Sequence, residues 1–95
     1  MKSKKYPNKT IRDPFTYYWP KLDIHGETSA TCIALINSFI NDNIKLKKDR
    51  IIIIHGKGTG ILKKATHNYL KKDKRVIKFY IDGMNDGQTV LELKK

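Results

Sequence analysis

Residues 51–64 read IIIIHGKGTGILKK: a run of isoleucines breaks at a histidine, passes through three glycines and leaves into a basic stretch. Four consecutive β-branched residues suit a strand covered on both faces or lying centrally in a sheet, because successive side chains leave opposite faces. Beyond the glycines, Ile61, Leu62, Ala65, Tyr69 and Leu70 recur at helical spacing, with Lys63, Lys64, His67 and Lys71 around them. The stretch therefore predicts strand, glycine loop and helix in direct succession, the helix running from about Thr59 to Lys71.

On the N-terminal side, Lys21–His25 (KLDIH) alternates polar and apolar residues, which predicts a short strand with Leu22 and Ile24 on one face and Asp23 and His25 on the other. Gly26 ends it, and the Thr28 hydroxyl can cap a helix by accepting from the amide of Ala30 or Thr31. Cys32, Leu35, Ile36, Phe39, Ile40 and Ile44 give that helix an apolar side. On the C-terminal side, Val76–Ile81 and Thr89–Leu93 read as strands, and Met84-Asn85-Asp86-Gly87 offers turn residues for a hairpin between them. The order βαβαββ predicts an α/β chain of the α+β two-layer sandwich type, with a four-stranded mixed sheet and both helices on one face.

The 95 residues suffice for one core. Residues 1–20 form a basic, aromatic arm, expected to be partly disordered, because MKSKKYPNKTIR holds Lys2, Lys4, Lys5, Lys9 and Arg12 and few apolar residues. Within DPFTYYWP, residues 13–20, Phe15 and Trp19 are expected to fold back over a flank of the core. The alternative is that Tyr17, Tyr18 or Trp19 offers stacking faces to unpaired bases. Residues 21–95 are the folded domain.

A net charge of +11 points to a polyanion as partner, and nucleic acid is the leading class. No run approaches the ~18–20 apolar residues of a spanning helix, so no membrane role is expected. Cys32 is the one cysteine and cannot make an internal disulfide, which favours a reducing cytoplasm. Lys57 to Arg75 holds seven basic residues against one acid, a track for a phosphate backbone rather than an ordinary solvated helix face.

A glycine-rich loop between strand and helix presents free amides and the positive end of the helix dipole, both suited to an anion. The nucleotide motifs do not fit: counting from Gly56, the second glycine of a P-loop falls on Ile61, and the dinucleotide fingerprint fails at Ile61 or Lys63. No nucleotide cofactor is expected. The loop instead offers His55, Lys57 and the amides around Gly56, Gly58, Thr59 and Gly60, with Lys63 and Lys64 next along the chain, as contacts for a backbone phosphate. If the strands ending in His25 and His55 are parallel neighbours, Asp23, His25 and His55 converge at one sheet edge, a set able to cleave a phosphodiester.

LDIHGET (Leu22 to Thr28), IIHGKGTGIL (Ile53 to Leu62) and a closing Gly87-x-Thr89-Val90 resemble the small MutS-related (Smr) domain, over roughly Lys21 to Leu93. The resemblance implies a fold similar to the C-terminal domain of translation initiation factor three. It also implies nucleic-acid binding with endonuclease activity, on DNA or on messenger RNA at stalled ribosomes. With no ATPase or clamp region in the sequence, the chain reads as a stand-alone Smr protein. The family's D-x-H pair falls on Asp23 and His25 and its HGKG loop on His55, Gly56, Lys57 and Gly58. Ser29, Ala30 and Thr31 stand where relatives commonly carry acidic residues.

The expected roles follow: His25 or His55 takes a proton from the nucleophile, the other histidine or Lys57 supports the leaving oxygen, and Asp23 orients a histidine or helps hold a metal. RNA can be cut by its own 2′-hydroxyl without an ion, whereas cutting DNA calls on water and on a divalent metal such as magnesium or manganese. The rival expectation is a module that binds nucleic acid or the ribosome without cutting.

Overall fold

The computed structural model describes residues 18–94. Residues 1–17, and with them Phe15 and Tyr17, lie outside the described part.

Six elements follow in the order β1 (Lys21–Asp23), α1 (Ser29–Lys45), β2 (Arg50–Ile54), α2 (Ile61–Leu70), β3 (Val76–Asp82) and β4 (Asn85–Leu93). The strands form one mixed sheet in the order β1-β2-β4-β3. β1 runs parallel to β2, with Asp23 opposite Ile54; β4 is antiparallel to both β2 and β3.

Side-chain alternation along β2 and β4 places the core. Ile51, Ile53, Leu91 and Leu93 face the helices and pack with Cys32, Ile36 and Ile40 of α1 and Leu70 of α2, all at most 2% exposed. Each such aliphatic side chain contributes about 1.5–3 kcal/mol on leaving water. Both helices thus cover one face, as the pattern predicts. Ile52 and Val90, one residue out of phase, are also buried.

Several boundaries differ from the sequence pattern, each for a local reason. β1 stops at Asp23 because the Asp23 carboxylate accepts from the His25 amide at 3.1 Å, an Asx turn that lifts the chain out of the ladder. Ile24 still donates to the Ile54 carbonyl and is wholly buried. α2 begins at Ile61 rather than Thr59, since Gly60 at φ 85° is left-handed and cannot belong to the helix. The hairpin turns at Gly83-Met84, where Asp82 Oδ1 accepts from the Met84 amide; Asn85, Asp86 and Gly87 belong to β4, which bulges between Asn85 and Thr89. In α1 the Thr28 hydroxyl accepts from the Thr31 amide as expected. Leu35, however, lies at the margin at 36% exposed, and Asn43 takes a buried place by donating to the Phe39 carbonyl.

Arg75 is withdrawn from the basic track. Its guanidinium is bound to Asp73 at 2.6 Å and to Asn37 of α1 at 2.7 Å, with the Tyr69 hydroxyl of α2 alongside at 3.2 Å. It joins the start of β3 to both helices. Trp19 meets Arg50 of β2, whose guanidinium carbon stands 5.6 Å from the ring centroid, a cation–π contact. Tyr18 is exposed.

Candidate functional site

Because β1 and β2 are parallel, their carboxyl ends open at one edge of the sheet, where the turn after β1 and the loop after β2 lie side by side. A cleft of about 490 Å³ runs between them, bordered by His25, Gly26, the start of α1, the HGKGTG loop and the start of α2. The two turns touch: a Cβ placed on Gly56 would stand 3.4 Å from the Cβ of His25. Among the sequence-derived candidates, His25, His55, Gly56, Lys57, Gly58, Thr59 and Gly60 all line this cleft. Asp23 enters it through His25.

The Asp23 carboxylate holds Nδ1 of the His25 ring at 2.5 Å, and both side chains are more than half exposed. Asp23 Oδ1 thus serves the ring and the backbone amide of the same residue, which fixes the direction of the imidazole. The hydrogen bond to Asp23, followed by its charge, raises the His25 pKa above its ordinary value; the bond to His25 lowers that of Asp23. The pair therefore favours imidazolium beside carboxylate.

The loop is held by its backbone. The amides of His55 and Gly56 both donate to the Gly87 carbonyl at 2.9 Å. A side chain at Gly87 would crowd its neighbours, since a Cβ there would stand 3.1 Å from Lys57 Cγ and from Asn85 Oδ1. Gly56 and Gly60 are left-handed, at φ 84° and 85°, and the space beside Gly58 is open. Gly60 gives α2 no side-chain cap. The loop and the start of α2 line the cleft, the Ile61 amide donating to the Thr59 hydroxyl at 3.3 Å, and a glycine loop leading into a helix N-terminus suits an anion. Lys57 reaches Asp86 at 3.6 Å, both of them 70% exposed, a pair weak enough for a phosphate to displace Asp86.

His55 does not stand as the sequence pattern suggests. It is 5% exposed, with Nδ1 3.1 Å from the Gly56 carbonyl oxygen and Nε2 2.8 Å from the Thr89 hydroxyl. Neither ring nitrogen is free to meet a substrate, and burial lowers its pKa. The period of two along a strand sends His55 inward while the Asx turn sends His25 outward. Thr89 and His67 complete this inner group, His67 Nε2 lying 2.7 Å from the same hydroxyl. Sequence spacing did not single out either residue, although Thr89 lies within the closing Gly-x-Thr-Val. Lys64 is exposed and Lys63 half-buried on α2, Lys63 being close enough to lower the pKa of both His55 and His67.

Among the described residues, no three His, Cys, Asp or Glu side chains gather in a way that could hold a metal ion. The Asp23–His25 pair alone does not make a site for magnesium or manganese. No described helix is long and apolar enough to cross a membrane.

A family model described as Smr domain matches residues 22–94. The protein called Endonuclease MutS2 of Geobacillus sp. (strain WCH70) is 33% identical over 96 residues, covering 98% of this chain and 12% of that protein. The chain thus spans about an eighth of that relative's length. The crystal structure of the Smr domain of Thermus thermophilus MutS2 superposes with a TM-score of 0.76 at 30% identity, over 80% of this chain and 99% of that one. YdaL, a stand-alone small MutS-related protein from Escherichia coli, gives 0.73 at 21% identity, over 79% of this chain and 64% of that one, which speaks for the fold alone.

Proposed function

The chain belongs to the Smr domain family, and from that premise we propose that it is a nucleic-acid-binding endonuclease that cuts RNA at the Asp23–His25 edge of the cleft. The observation that supports this most is the apposition of His25 and Gly56, which sets an exposed, carboxylate-oriented imidazole against a loop built for a phosphate.

In this reading the loop amides from Lys57 to Gly60, with the side chains of Lys57, Lys63 and Lys64, hold the backbone, the Gly56 amide being committed to the Gly87 carbonyl, and the scissile phosphate lies beside His25. His25 Nε2 accepts the proton of the 2′-hydroxyl as that oxygen bonds to phosphorus. The phosphorus–O5′ bond breaks, and the same imidazolium returns its proton to the leaving oxygen. The products are a 2′,3′-cyclic phosphate and a 5′-hydroxyl, with no net change at the enzyme. Asp23 stabilises the imidazolium in between, as a carboxylate does for the histidine of a catalytic triad. His55 is reassigned from proton transfer to support of the loop. RNA is favoured over DNA because attack by its own hydroxyl asks only for the proton transfers that this pair can supply.

The net charge of +11 suits a large RNA partner such as the ribosome, and the single cysteine, Cys32, suits a place in the reducing cytoplasm; both belong to the proposal. A second reading draws support from the burial of His55, which leaves one exposed imidazole at the cleft: a module that binds RNA without cutting it. The two separate when the purified chain is incubated with a single-stranded RNA and with a supercoiled plasmid, each with EDTA or with manganese. Cyclic-phosphate ends in EDTA support the enzyme acting on RNA, nicked plasmid transfers the reading to DNA, and binding without any product supports the module.

A further inference from the structure

Beneath the loop, three side chains that the proposed cleavage does not use make one hydrogen-bonded chain across three elements. His55 follows β2, Thr89 lies in β4 and His67 in α2; the Thr89 hydroxyl is 2.8 Å from His55 Nε2 and 2.7 Å from His67 Nε2. Thr89 is wholly buried and His55 nearly so. The two rings meet edge to face with centroids 5.9 Å apart, and the Phe79 ring of β3 lies tilted against His67 with centroids 5.0 Å apart.

One arrangement of protons satisfies all three contacts. The Gly56 carbonyl only accepts, so His55 carries its proton on Nδ1 and donates there. Burial favours the neutral ring, which leaves Nε2 bare and takes the one hydroxyl proton of Thr89. With that proton committed, Thr89 can only accept from His67, whose Nε2 must carry hydrogen.

We propose that His67 is a positioning residue for the phosphate loop: by donating to the Thr89 hydroxyl it holds His55 as the Nδ1–H tautomer and so fixes the Gly56 carbonyl and the amides that follow. The inference rests on the reading of the loop as the phosphate contact. The relay complements the Gly87 carbonyl, which grips the His55 and Gly56 amides from the opposite strand. Without a donor at position 67 the hydroxyl is free to rotate, His55 can donate to it from Nε2, and the bond to Gly56 is lost.

Two pairs of variants test this by NMR near neutral pH. His67→Gln keeps an N–H donor and His67→Leu removes it; Thr89→Ser keeps the hydroxyl and Thr89→Val removes it. Long-range proton–nitrogen spectra report which His55 nitrogen carries hydrogen, and the amide signals of residues 56–60 report the loop. The expected result is Nδ1–H and common loop signals in the native chain, His67→Gln and Thr89→Ser, with a changed tautomer and displaced loop signals in His67→Leu and Thr89→Val. A native His55 protonated on Nε2, or equal displacement by His67→Gln and His67→Leu, overturns the proposal. Should His67→Leu fail to fold, the Thr89 pair decides in the same way. Titration with a short single-stranded RNA separates the premise: if the relay behaves as expected but no loop amide of the native chain responds, the phosphate reading falls while the relay stands.

Discussion

The Cβ of His25 lies 3.4 Å from the point that a Cβ on Gly56 would occupy, so the turn after β1 and the loop after β2 are in van der Waals register at the cleft. Gly56 is also left-handed at φ 84°. Gly56→Ala therefore strains the backbone while setting its methyl in van der Waals contact with His25. The expected loss of stability is about 1 kcal/mol or more, read by urea denaturation. Cleavage of RNA should fall further than stability alone explains, because relief of the strain shifts the loop that is read as holding the phosphate.

Asp23 sets the pH at which His25 can act. The bonded carboxylate raises the His25 pKa above 6.5, and the proposed mechanism starts from the neutral ring, so the cleavage rate should rise with pH through a midpoint above 6.5. Asp23→Asn removes the charge that favours imidazolium. The midpoint should move to lower pH, while the plateau rate falls by about 10²-fold or more. An unmoved midpoint would separate the pair from proton transfer.

Lys63 and Lys64 follow the loop on α2 and are assigned to the backbone rather than to the chemistry. For single-stranded RNA, each lysine that neutralises one phosphate contributes about 0.7 to the slope of log affinity against log salt. Lys64→Ala should flatten the slope by about that amount, similarly for all RNA sequences. Filter binding over a salt series measures it.

Asp73 carries a linkage that belongs to the fold. Its bonds to Arg75 hold its pKa at about 2, against an ordinary value of 3.8, and its side chain is 5% exposed. A carboxyl lowered on folding adds stability that is complete above the ordinary value and is lost as pH falls through about 2. Asp73→Asn should thus destabilise the chain by about 2 kcal/mol at neutral pH and remove that part of the acid sensitivity. Urea denaturation across the pH range distinguishes the two chains.

What the sequence made legible was whatever depends on near neighbours. The isoleucine run, the spacing of Cys32, Ile36 and Ile40, and the Thr28 cap each placed an element, and the two motifs pointed to turns that the structure brings to one cleft. What escaped depends on distant partners or on turns within the strands. The Gly87 carbonyl that fixes the loop comes from a bulge in β4, and the turn residues around it suggested a hairpin in the wrong place. His55 reads in the sequence as an imidazole open to the loop until Thr89, 34 residues away, meets its second nitrogen in a buried place. His67 resembles a residue on a polar helix face until Phe79 packs against its ring and Thr89 meets its Nε2.

Cleavage of an end-labelled single-stranded RNA in EDTA by the native chain and by His25→Ala, with binding measured in parallel, tests the assignment of His25 most directly. The expected result is cyclic-phosphate ends from the native chain and a loss of about 10²-fold or more in His25→Ala, with affinity nearly unchanged. Undiminished cutting by His25→Ala, or a loss of binding as large as the loss of cutting, would contradict it.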